Sequence, residues 1–304
     1  MKLGFVSAIL DKSNFEEVIS TAKNMGYSCV EVACWPHEEA ERRYAGVCHI
    51  DVEDLDDDKA EEILKLCHDA QVEISALAYY PNILNADTAK SERCIEHLKH
   101  VILAAEKLKV DTVTTFIGRD QNKSVEDNLK LVKEVWPPLL IFAKEHGIRI
   151  AIENCPMLFG QEQWPGGQNL MTSPSNWKKV FELLPDDNLG INYDPSHFIW
   201  QMIDYIKPIY KFRDKIFHVH CKDIKLFKNR LEEVGTMDYP LSYMSPKIPG
   251  LGDVNWSKFI SALTDIQYDG NVCVEIEDKA FEKDQKSILD SLSLSKKYLD
   301  QYII

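Results

Sequence analysis

The chain has 304 residues, 45% hydrophobic and 28% charged, an ordinary globular composition with enough apolar mass for a large core. A formal net charge of −14 repels phosphate backbones and argues against a nucleic-acid partner. No apolar run approaches the roughly 20 residues that span a bilayer, so no membrane segment is expected.

The opening MKLGFVSAIL reads as a first strand, not a signal peptide. Eight cysteines are scattered, mostly through apolar segments, with no CxxC pair, and read as reduced, buried thiols of a cytoplasmic protein. Short β-rich runs then recur at 2–7, 28–33, 72–78, 110–116, 148–153, 189–194, 215–220 and 271–276. Each is nearly continuously apolar until its end, as suits a parallel strand covered on both faces. Helical patterns fill the gaps. FEEVISTAKNMG has a cap at each end, Asn14 before it and Gly26 closing it. DDKAEEILKLCHDA, ERCIEHLKHVILAAEKL, VEDNLKLVKEVWPPLLIFAKEHG, SPSNWKKVFELL and NWSKFISALTDI follow, the last with Asn255 as its cap, and a final helix covers about 281–300. FIWQMIDYIKPI places apolar residues at 198, 199, 202, 203 and 206, again a helical spacing.

Eight βα units with no linker favour one α/β domain over 1–304, a single (β/α)8 barrel, the TIM-barrel architecture. Two connections, about 154–172 and 221–255, are too long for plain linkers. Both follow a strand and so belong on the face where such barrels hold their active sites.

Strands five to eight end in Glu153, Asp194, His220 and Glu275. Neighbouring strand ends converge on the barrel axis, so three carboxylates and an imidazole meet there. Packed carboxylates repel unless one is protonated or a cation intervenes. The donor set suits one divalent ion, Mn²⁺ first, with Mg²⁺, Co²⁺ or Zn²⁺ also compatible, and leaves positions open for substrate oxygens. The plain alternatives are a helix cap at Asp194 and a satisfied core imidazole at His220. His218 lies one layer below His220 and reads as a supporting residue, as does Asp223, which would orient a ligand or a loop. Lys222 either contacts a substrate oxygen or neutralises the acidic pocket. Trp35, Tyr80, Asn82 and Arg119 follow strands two to four on the same face and are candidate substrate contacts, with His37 and Tyr79 beside them.

The stretches IENCP (152–156), NYDPSH (192–197), HVHCKD (218–223), PGLGDVNW (249–256) and VEIED (274–278) together resemble the xylose isomerase-like TIM-barrel superfamily. Its members include ketose 3-epimerases, inosose dehydratases and isomerases, and endonuclease IV. AYYPN (78–82), TFIGRD (115–120) and WPGGQNL (164–170) extend the resemblance over nearly the whole chain. It implies a metal held by Glu153, Asp194, His220 and Glu275, with His197 facing the substrate. It further implies that Glu153 and Glu275 act as the two proton carriers on opposite faces of a sugar. Only one metal's ligand set can be matched, unlike the three-metal cluster of endonuclease IV, and the catalytic lysine and second metal of true xylose isomerases cannot be placed. The expected activity is isomerisation or epimerisation of a sugar or keto-sugar through a cis-enediolate. Dehydration of a keto-sugar, 3-keto-glycoside or inosose is the runner-up, and a non-catalytic sugar-binding or partner subunit is the reading from another class. The expected partner is a small carbohydrate, and a homo-oligomer is compatible with the sequence.

Overall fold

The computed structural model describes residues 1–37, 44–158 and 165–303. Eight parallel strands close a barrel: β1 (Lys2–Val6), β2 (Cys29–Ala33), β3 (Glu73–Ala78), β4 (Thr112–Thr115), β5 (Arg149–Glu153), β6 (Leu189–Tyr193), β7 (Ile216–Cys221) and β10 (Asn271–Val274). Around the barrel each strand pairs with its sequence neighbour, and β10 closes the ring between β7 and β1. Their residues are buried almost throughout because helices cover the outer face and side chains fill the inside.

Local chemistry sets the helix ends. At Phe15–Met25, Asn14 accepts from the Glu17 N–H while the Glu17 carboxylate accepts from the Asn14 N–H, and Gly26 closes the helix at φ +75°. Asn255 caps Trp256–Asp265 by accepting from the Lys258 N–H.

One expectation is corrected here. The helical spacing over 198–209 does not make one helix. A short helix, Ser196–Trp200, ends as Met202 turns to φ +57°, and a second, Lys207–Lys211, begins beyond it. The long connection after β7, too long for a plain linker, carries structure of its own. β8 (Asp223–Leu226) and β9 (Met244–Lys247) pair antiparallel, with a short helix, Lys228–Val234, between them. Trp164 of the WPGGQNL stretch lies outside the described residues. Gly167, within them, has φ +68°, and a Cβ there would sit 2.2 Å from the Pro156 carbonyl oxygen, so the close approach of these two loop segments requires glycine.

Candidate metal centre and active site

The C-terminal strand ends place Glu153, Asp194, His220 and Glu275 around one point. One ligand atom from each lies within 4.8 Å of all the others. His220 Nδ1 is 3.1 Å from Glu275 Oε2 and 3.7 Å from Glu153 Oε1. Lys222 Nζ is 3.2 Å from Glu275 Oε2, 3.5 Å from Asp194 Oδ2 and 3.0 Å from Glu277 Oε2. His197 Nε2 is 3.2 Å from Asp194 Oδ2 and 3.5 Å from Glu153 Oε1.

The orientation of these groups fits a cation. Glu153 Oε1, Asp194 Oδ2, His220 Nδ1 and Glu275 Oε2 are all buried and make no hydrogen bond, although buried polar atoms ordinarily find a partner. Asp194 and His220 are held at their other ends. Asp194 Oδ1 accepts from the Ser196 N–H at 2.7 Å, so one carboxylate both braces the following turn and presents its free oxygen to the site. His220 Nε2 lies 2.7 Å from Glu31 Oε2. With the proton on Nε2 donated to that carboxylate, the Nδ1 lone pair is left for a ligand, the arrangement that fixes the tautomer of metal-binding histidines.

Below this ring lies a hydrogen-bonded polar layer. Glu31 also accepts from Tyr80 Oη at 2.6 Å and Thr114 Oγ1 at 3.0 Å. His218 Nδ1 is 3.1 Å from Asn192 Oδ1, and its Nε2 is 3.2 Å from Ser75 Oγ. Asn154 locks β5 to β6: its amide donates to the Asp194 carbonyl and accepts from the Asp194 N–H, both at 2.8 Å. Glu31 and Asn154 are positioning residues that the sequence reading did not single out. The available signal was a lone acid inside the apolar run CVEVA.

Electrostatics in this ring are strained toward positive partners. Burial raises the Glu153 carboxyl, but His197, His220 and Lys222 outweigh it and hold the group below its ordinary range. Asp194 stays raised by burial: His197 and Lys222 oppose the shift, while Glu275 and Glu153 add to it. Glu275 is lowered, burial being overcome chiefly by Lys222. His220 and Lys222 are raised well above their usual values despite burial, the first mainly by Glu31 and the second mainly by Glu275. Protons therefore stand where positive charge is needed, and a divalent ion would supply it more fully.

A pocket opens over the ring. Val6, Ala8, Ala33, Trp35, Ala78 and Phe116 give it an apolar wall, and Glu153, His220, Lys222, Glu275 and Glu277 give it a polar floor. Such a wall suits the C–H face of a sugar or cyclitol. Of the other candidates, Trp35 and Tyr80 line this pocket. Asn82 does not: its amide is spent on the backbone of Leu84 and Arg119. Arg119 donates to the Gly166 carbonyl at 2.5 Å and lines a separate cavity with Trp200 and Tyr243. His37 is exposed, 3.3 Å from Asp51, and Tyr79 packs edge-on between Trp35 and His97.

Asp223 turns away from the ring. Its carboxylate accepts from the N–H groups of Ile224, Gly250 and Val254 and from Trp256 Nε1, all at 2.9–3.0 Å. Gly252 passes so close that a Cβ would lie 2.2 Å from Asp223 Oδ1. Asp223→Ala leaves four donors without a partner, so it should cost about 3 kcal/mol or more of stability. Urea unfolding checks this; an unchanged midpoint would mean the loop holds itself.

The profile of the family described as "Xylose isomerase-like TIM barrel" matches residues 19–298. An inosose dehydratase from Clostridium perfringens is 28% identical over 105 residues, 33% of this chain and 34% of that protein. The chain thus matches about a third of that curated relative's length. Among solved structures, the IOLI protein with a bound zinc atom aligns over 100% of this chain and 99% of its own, at 19% identity and TM-score 0.72. D-psicose 3-epimerase, crystallised with D-fructose, aligns over 100% and 99% at 15% identity and TM-score 0.70. At these identities the structural likeness establishes the fold.

Proposed function

Because the chain belongs to the xylose isomerase-like TIM-barrel family, we propose that it is a divalent-metal-dependent isomerase or epimerase of a sugar or keto-sugar, working by proton transfer next to a carbonyl. The observation that carries this reading is the pair of carboxylates flanking His220. Glu153 and Glu275 come from strand ends separated by two strands, and each brings a carboxylate oxygen near His220 Nδ1, at 3.7 and 3.1 Å. A divalent ion bound by Glu153, Asp194, His220 and Glu275 would stabilise the negative charge of a cis-enediolate. The zinc-bound structural relative supports such an ion; Mn²⁺ is our first choice for this chain.

Each protein group then has a distinct task. One glutamate removes the proton from the carbon beside the carbonyl, and the other returns a proton to the opposite face. The Lys222 ammonium, among Asp194, Glu275 and Glu277, offsets their charge and can donate to a substrate hydroxyl. His197 is buried on the β6 side, its Nε2 without a hydrogen bond and 3.2 Å from Asp194 Oδ2, where it can meet the substrate when no ion holds it. Trp35 and Phe116 pack on the apolar face of the ring and exclude water.

The inosose dehydratase relative favours a second reading. The same proton removal is followed there by loss of a β-hydroxyl, with Lys222 or His197 protonating the departing oxygen. Product NMR on a panel of ketoses, inososes and 3-keto-glycosides separates the two. An isomer of equal mass is the expected result. A product lighter by one water would assign the dehydratase reaction, and no conversion of any panel member would favour a non-catalytic sugar-binding subunit.

A further inference from the structure

We infer that Glu153, Cys155 and His197 form a second cation site, one that takes a thiophilic divalent ion such as Zn²⁺ or Co²⁺. The inference rests on the reading of Glu153, Asp194, His220 and Glu275 as the first metal centre, because the two sets share Glu153. One ligand atom from each of Glu153, Cys155 and His197 lies within 4.8 Å of the other two. His197 is 8% exposed, and its Nε2 makes no hydrogen bond. Glu153 Oε1, also without a hydrogen bond, stands between two imidazoles, 3.5 Å from His197 Nε2 and 3.7 Å from His220 Nδ1.

The chain places this second set by the geometry that builds the first. Glu153 ends β5 and Cys155 follows two residues later, both lining the pocket. Asp194 and His197 are three apart across the turn that follows β6. The β5 end therefore gives Glu153 to both centres and Cys155 to the second, and the β6 end gives Asp194 to the first and His197 to the second. Cys155 lines the active-site pocket, and its Sγ accepts the Met157 N–H at 3.4 Å across a turn with Met157 at φ +56°. That contact stabilises sulfur as an acceptor, which suits a thiolate ligand. On binding, the cation replaces the S–H proton, which passes to solvent.

Thiolate, imidazole and carboxylate with a position left open match an open zinc site, whereas Mg²⁺ and Mn²⁺ prefer oxygen donors. The local charge leaves room for two ions. Among the described residues, Asp194, Glu275 and Glu277 surround the Lys222 ammonium, while Glu31 and Glu153 face the imidazoles of His220 and His197, so the carboxylates outnumber the cationic groups.

The test uses tag-free full-length protein stripped with a chelator and reloaded with Zn²⁺, Co²⁺ or Mn²⁺ alone. Two zinc or cobalt ions per chain are expected, but one manganese, and the cobalt form should show thiolate-to-cobalt absorption in the near ultraviolet. Cys155→Ser should bind one zinc, lose that absorption and keep its manganese. In the unmodified chain, saturating Zn²⁺ should slow alkylation of Cys155 at least tenfold, and Mn²⁺ should not. One zinc in both the unmodified chain and Cys155→Ser, two in Cys155→Ser, or alkylation indifferent to zinc would overturn the second site. His220→Ala separates the two readings. It should lose one zinc if the first centre is correct; if it binds as much as the unmodified chain while Cys155→Ser loses one, the first centre is the reading that fails.

Discussion

Glu153→Gln and Glu275→Gln should each lower turnover by at least about 10²-fold, the low end of general-base effects, on any substrate the unmodified enzyme converts. Each amide keeps an oxygen that can reach the metal but has no basic carboxylate. Metal affinity should therefore fall less than on changing the same residue to alanine. The two variants need not fail alike, because the glutamates come from strand ends on opposite sides of β7 in the barrel. One can still exchange the substrate hydrogen with solvent while forming no product, which marks it as the residue that returns the proton. Steady-state kinetics beside solvent-exchange NMR on both variants reads this out. Full turnover with bound metal in either would remove that glutamate from the mechanism and direct the search to His197 or Lys222.

Metal withdrawal should have the second largest effect. Without the ion, Glu153, Asp194 and Glu275 share a buried space in which, among the described residues, Lys222 and protonated imidazoles offset them. A metal at a hundred times its Kd adds about 2.7 kcal/mol to stability. The chelated protein should melt several degrees lower and recover on reloading. His220→Ala should abolish most of that recovery. Glu31→Gln, which keeps the hydrogen-bonding shape but not the charge behind His220, should weaken metal binding by about 10- to 100-fold. Identical melting with and without metal would contradict the site.

The barrel was legible because parallel strands covered on both faces are written as short apolar runs, and eight of them alternate with capped helices. The four-residue ring was legible for a related reason: strand ends of a closed barrel must converge, so their polar residues meet wherever the chain puts them. Glu31 escaped because nothing in CVEVA says which side chains face it; its partners Tyr80, Thr114 and His220 come from three other strands or strand ends. Cys155 escaped for the opposite reason, since a cysteine in an apolar segment reads as an inert thiol. Asn82 and Arg119 follow strands on the right face, yet the Asn82 amide is taken up by loop backbone and Arg119 turns to the Gly166 carbonyl and a separate cavity. The hairpin of β8 and β9 was hidden because DIKL and MSPK are short, of mixed polarity and far apart in the chain. The break at Met202 falls within a spacing that is helical by pattern alone.

The central claim is that this ring removes and returns a proton beside a carbonyl with the help of a metal. Its most direct test is solvent-hydrogen exchange. Manganese-loaded protein is incubated in D₂O with the panel of ketoses, inososes and 3-keto-glycosides, and recovered material is examined by NMR and mass spectrometry. Deuterium should enter one carbon adjacent to the carbonyl of at least one compound, stop on chelation and resume when Mn²⁺ is restored. Metal-loaded protein that exchanges no hydrogen in any of these compounds, or exchange that persists undiminished after the metal is removed, would contradict it.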